Sequence, residues 1–183
     1  MAHLEPLPTG EPGALLHLEE IESALVESLT TQMIDLVGVD SPADEDPLVA
    51  MVGIDPAAAP SEDPALLRLL PDAYPDDDDA SSEFRRFTER DLRSAKVRHA
   101  VRVRESVAAR ETPIAIAGED VTAWLGFLND ARLVIGTRLG VTEENHEELA
   151  ELPDDDPRAA LFGVYGWLTY LQETLVQTLM GHP

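Results

Sequence analysis

A chain of 183 residues with 36 acidic and 13 basic side chains carries a formal net charge of −23 at pH 7, which repels nucleic-acid phosphates and anionic membranes at long range. Cysteine is absent, which removes disulfides, thiolate nucleophiles and thiol-ligated zinc, and no apolar run approaches the roughly 20 residues that span a bilayer. The opening MAHLEPLPTGEPG has neither the basic nor the apolar region of a secretory signal, so the expectation is a soluble, cytoplasmic protein with the core of one domain.

Residues 1–13 hold three prolines and two glycines without periodicity and read as a flexible tail, leaving 14–180 as a single helical domain. Ala14 to Leu18 suits a short strand, and Glu19-Glu20 then open a helix, where acids complement the positive end of the dipole. Leu18, Ile21, Leu25, Leu29, Met33 and Leu36 recur at helical spacing, and Gly38 is a natural stop. The stretch 39–63, rich in Asp, Pro and Ala, reads as a mobile or loosely packed insert. Pro64 fits the first turn of a short leucine-rich helix that Pro71 ends.

The run Asp76–Asp79 leads into Arg85–Arg110, which holds nine of the thirteen basic residues against Glu89, Asp91 and Glu105. Its apolar residues fall on two sides, Phe87, Val97 and Val101 on one and Leu92, Val103 and Val107 on another. That pattern predicts a helix packed on two faces, with a break near Phe87 where Thr88 and Asp91 resemble a capping box. Pro113–Ala117 reads as a second strand, able to pair with the first. Glu119-Asp120 open a helix with Val121, Trp124, Leu125, Leu128, Ala131, Ile135 and Leu139 on one face. After a glutamate-rich loop, Pro157 starts a last helix striped by Leu161, Val164, Tyr165, Leu168, Leu171, Leu175 and Leu179. The expected fold is mainly α: a compact bundle of about five helices with at most one short two-stranded β ribbon.

Little in this pattern points to catalysis. Neither Asp76–Asp79 nor Asp154–Asp156 has the alternating register of a calcium loop, and each precedes a helix that its carboxylates can cap. The five histidines are dispersed, with no metal-like spacing along a helix, and there is no nucleophile elbow or phosphate-binding glycine loop. No catalytic residue, metal or cofactor is therefore expected. The cationic segment has two readings. Arg86, Arg90, Arg93, Lys96 and Arg104, exposed together, would contact a protein partner or DNA; paired with acids, they would neutralise the helix from within. Arg132 and Gln172 fall on apolar helix faces and suggest a buried polar network with Asp130 or Glu173. Leu161, Val164, Tyr165, Trp167 and Leu168 suggest a subunit contact, and with it the alternative of a structural homodimer.

Three stretches, DPALLRLLPDAYPDDDDASSEFRRFTERDLRSAKV, AWLGFLNDARLVIGTRLGVTEE and DDDPRAALFGVYGWLTYLQETLVQTL, resemble a small actinobacterial family first catalogued as a domain of unknown function. That family includes the AosR-type oxidative-stress-responsive transcriptional regulators. The resemblance covers most of residues 14–180 and implies a cytoplasmic, non-enzymatic regulator acting through the transcription apparatus or DNA. It also implies redox sensing by a cysteine pair near the N-terminus, which this cysteine-free sequence does not have. A protein partner is thus the expectation, with direct DNA binding the weaker reading.

Overall fold

The computed structural model describes residues 1–38 and 61–181, so most of the expected 39–63 insert lies outside the described residues. In chain order the elements are β1 His3–Pro6, β2 Gly13–His17, α1 Glu20–Val37, α2 Pro64–Leu69, α3 Asp78–Ala108, β3 Ile114–Ala117, α4 Glu119–Leu139, α5 His146–Ala150 and α6 Pro157–Leu179. The molecule is mainly helical, with one small antiparallel sheet in the order β1-β2-β3.

The helix starts follow their local chemistry. Asp63, Asp77 and Asp156 each accept a hydrogen bond from a first-turn amide, those of Ala65, Ala80 and Arg158, at 2.8–2.9 Å. Both acidic runs thus cap helices, and Pro64 and Pro157 occupy first-turn positions where no amide hydrogen is needed. At α1 the Glu22 carboxylate accepts from the Glu19 amide at 2.9 Å. Gly140 ends α4 in the left-handed conformation at φ 65°, where a side chain would be strained.

α4 is the centre of the bundle. Trp124, Phe127, Leu128, Ala131 and Ile135 are buried on it, and it packs against α2, α3 and α6. Burying the two aromatic side chains alone contributes several kcal/mol, at roughly 25 cal/mol per Å² of apolar surface. α3 lies beside α4 and α1 as one continuous helix of 31 residues, without the break expected near Phe87. Its apolar packing is in the second half, where Ala100, Val103 and Val107 are buried; in the first half the buried residues are the polar Ser81 and Arg85, while Phe87 is 52% exposed and Leu92 46%. The expected packing on two sides is supplied by α1 and α4, and it uses Val97, Val103 and Val107 rather than Phe87 or Leu92.

Two further expectations change. The opening residues are no tail, because β1 pairs antiparallel with β2, in the register Leu4 to Leu16, and adds a third strand to the ribbon. Leu4, Ala14, Leu16, Ile114 and Ile116 belong to the sheet's packed side, and the Tyr170 hydroxyl of α6 donates to the Ala2 carbonyl at 3.3 Å. A Pro- and Gly-rich opening is compatible with an edge strand because only one side of the ladder needs amide donors. The buried row of α1 is Val26, Thr30, Met33 and Val37, and Ile21 is 76% exposed. Thr30 is tolerated there because its hydroxyl donates back to the Glu27 carbonyl at 2.8 Å.

Candidate functional site

The cations of α3 divide by whether an acid of the described chain meets them. On the side turned towards α4, Lys96 Nζ lies 2.8 Å from Oδ1 of Asp130, whose residue is only 5% exposed. One turn earlier, Arg93 donates to Glu89 at 2.8 Å and to the Val37 carbonyl at the end of α1 at 3.2 Å. Arg85, 7% exposed, spans Glu89 at 2.8 Å and Asp72 at 2.6 Å. Nearer the end of the helix Arg102 pairs with Glu119 and Asp120 at the start of α4. These contacts tie α3 to the end of α1, to the segment before it and to the start and middle of α4. Inside a protein such pairs set helix register, because an unpaired buried charge is far more costly than a paired one.

His99 belongs to this seam. Gly126 of α4 lets the histidine ring approach so closely that an added Cβ would lie 2.5 Å from Nδ1. Burial pushes the His99 imidazole below its ordinary value, against the opposing pull of Asp130 and with help from Arg98 and Lys96.

The remaining cations of α3 differ. Arg86 and Arg98 are exposed and form no ion pair among the described residues, and Arg104 is half-buried, also without one there. Arg90 is half-buried. Of the five cations expected to be exposed together, Arg86 alone is fully so, while Arg93 and Lys96 are held by acids. Exposed apolar side chains gather at the same end of the helix. Tyr74 and Phe84 meet edge to face at 6.1 Å, Phe84 and Leu92 border one shallow cleft, and Phe87 lies one turn from Phe84. The sequence pattern gave Phe87 and Leu92 to two packed stripes on different sides. The clue to their exposure lay in the strongly polar residues Glu83, Arg86, Arg90 and Asp91 between them.

The other expected site residues are not brought together. Arg132 is half-buried and makes no hydrogen bond or ion pair with the described residues, and the Gln172 side-chain oxygen is buried without a hydrogen-bond partner among them. The buried charge on α4 is Asp130 instead, two positions earlier, where the helix turns it to Lys96. Of the expected subunit face, Leu168 is fully buried and belongs to the core. Val164, Tyr165 and Trp167 are half-buried against it, and Leu161 is exposed at its edge. Tyr165 stacks on Phe162 of its own helix at 5.9 Å.

One group was missed altogether. Histidines that are fourteen residues apart in sequence face each other across the ribbon: His3 is registered against His17, and the rings stack at 4.2 Å. Glu5, two residues along β1, turns its carboxylate to both. Strand alternation and a hairpin with the correct residue count were the only signals for it.

The fold and this division of charge define an acidic, mainly helical protein with one cationic helix that acids of the described chain neutralise in part. Residues 4–179 match the profile described as "Domain of unknown function (DUF2017)", and the chain belongs to that family. It is 36% identical over 107 residues to the oxidative stress regulator AosR of Mycobacterium tuberculosis H37Rv and, equally, to that of Mycobacterium bovis. These matches cover 56% of this chain and 48% of each relative. A Mycobacterium leprae homologue is 31% identical over 100 residues, covering 55% of this chain and 45% of its own. The chain thus spans about half the length of the curated relatives it matches. No solved structure matches. Among the described residues no helix is long and apolar enough to cross a membrane.

Proposed function

We propose that this protein is a non-enzymatic regulator that works by docking the first half of α3 onto a protein of the transcription apparatus. The observation that carries the reading is the exposure of Tyr74, Phe84, Phe87 and Leu92 along and just before the first half of α3, with Arg86 exposed beside Phe87, on a helix several of whose other cations are already neutralised. Aromatic and arginine side chains are the residues that protein interfaces favour at their centres. An acidic surface with an apolar patch is the complementary partner. The relation to named oxidative stress regulators supports a regulatory role, and thiol sensing is not available to a chain with no cysteine.

Direct binding to DNA is the weaker alternative, because Arg93 and Lys96 are engaged and the net charge of −23 opposes phosphate. A homodimer through the start of α6 loses Leu168, which lies in the core. The test is biolayer interferometry of the purified protein against RNA polymerase holoenzyme, with a labelled DNA duplex titrated in parallel over a salt series. Binding to the holoenzyme, weakened at least tenfold by Phe84→Ser with Phe87→Ser, is expected. Equal binding by that variant would sink the proposal, as would steeply salt-dependent duplex binding that disappears in Arg86→Ala with Arg98→Ala.

A further inference from the structure

We propose that His3, Glu5 and His17 form a binding site for a late first-row transition metal, with Zn²⁺ as its representative occupant. The antiparallel register places His3 directly opposite His17, and strand alternation places Glu5 on the same outward face. The two imidazoles stack nearly parallel, at 8°, and their Nε2 atoms lie 3.7 Å and 3.9 Å from the two oxygens of Glu5. One ligand atom from each residue can be chosen so that all three lie within 4.8 Å of one another.

Those separations are close to what a metal needs. With metal–ligand bonds of about 2.0–2.1 Å, neighbouring ligands in a tetrahedral site stand about 3.3 Å apart. A small contraction and a tilt of the stacked rings bring the three groups to that spacing. The side chains of His3 and Glu5 are more than half exposed, so nothing packed prevents the movement.

The state of His17 is the second observation. Its Nε2 is buried from solvent and has no hydrogen-bond partner among the described residues, although the Glu5 carboxylate is 3.9 Å from it. An imidazole nitrogen shielded from water and within 4 Å of a carboxylate is available as a ligand atom, and a cation between the two satisfies both. Two imidazoles and one carboxylate are a nitrogen–oxygen donor set that suits zinc and its neighbours better than calcium or magnesium, which favour all-oxygen shells. The surrounding charge helps, because an acidic protein concentrates cations at its surface.

Three protein ligands leave the fourth tetrahedral position open to water or to a donor from another molecule. Within the chain, the ion would staple edge strand β1 to β2. Because the unfolded chain has no such arrangement, binding stabilises the folded state.

The test is a zinc competition titration of the purified full chain against a chromophoric chelator of micromolar affinity, with a thermal melt in zinc and in chelator. One equivalent of Zn²⁺ bound at micromolar or tighter affinity, together with a rise in Tm, is expected. Both should be lost in His17→Ala and weakened at least tenfold in His3→Ala, and the control His146→Ala should keep them. Should His17→Ala fail to fold in the presence of chelator, Glu5→Gln at the exposed edge is read in its place, again with at least tenfold weaker binding expected. Absence of stoichiometric zinc binding, or zinc binding unchanged in His3→Ala and Glu5→Gln, would overturn the site and leave a stacked histidine pair with no ligand.

Discussion

The two halves of α3 use similar residues for opposite ends. In the second half Ala100, Val103 and Val107 are buried, and Lys96 and Arg102 pair with acids on α4. In the first half Phe84 and Phe87 face solvent, and Arg86 has no ion-pair partner among the described residues. Charge alone does not distinguish the two, since both halves are rich in arginine. The difference lies in what the opposite surface offers. α4 supplies Asp130 and Asp120 at the right height, whereas no described helix packs over Phe87. A basic helix in an acidic protein is thus part scaffold and part surface, and the two parts should respond differently to substitution.

The scaffold half should break first. Replacing Lys96 by Ala leaves the Asp130 carboxylate buried without its partner, and about 3 kcal/mol of stability should be lost in urea denaturation. Gly126→Ala forces its new Cβ against His99, and a loss of about 1–3 kcal/mol is expected in the same measurement.

A smaller effect should appear on acidification. Because burial lowers the folded-state value of His99, the unfolded chain binds the extra proton more readily. The contribution of His99 is complete above its unfolded value of about 6.5 and is lost as pH falls through the window below it. Falling pH also relieves the repulsion of a −23 protein, so the comparison must be with His99→Gln. The wild type should lose more stability than that variant between about pH 7 and pH 5.5 in thermal melts. At the surface half, Arg86→Ala should change stability by less than about 0.5 kcal/mol, and a larger loss would mean that this arginine too is structural.

Much of this fold is legible in the sequence. Prolines 64 and 157 and the aspartates before them mark helix starts, and Trp124, Leu128, Ala131 and Ile135 of the apolar row expected on α4 are buried, with Phe127 added beside them. The failures share a physical cause, since each depends on which neighbour an element meets. The α1 periodicity admits two rows one residue apart, and packing chose the one containing Thr30 over the one containing Ile21. A polar residue on an apolar face drew attention to Arg132, whereas the buried ion pair uses Asp130 and a lysine 34 positions away. The same holds for His3 and His17, whose meeting is a matter of hairpin register. Local pattern specifies elements, while pairing across elements needs the fold.

The claim that the inner side of α3 is structural rests most heavily on Lys96 and Asp130. A double-mutant cycle in urea, with Lys96→Met, Asp130→Leu and both together, measures their coupling directly. A coupling above about 2 kcal/mol, with the double variant more stable than either single one, is the predicted result. Single effects that add to within about 0.5 kcal/mol would show two independent surface charges and would contradict the account.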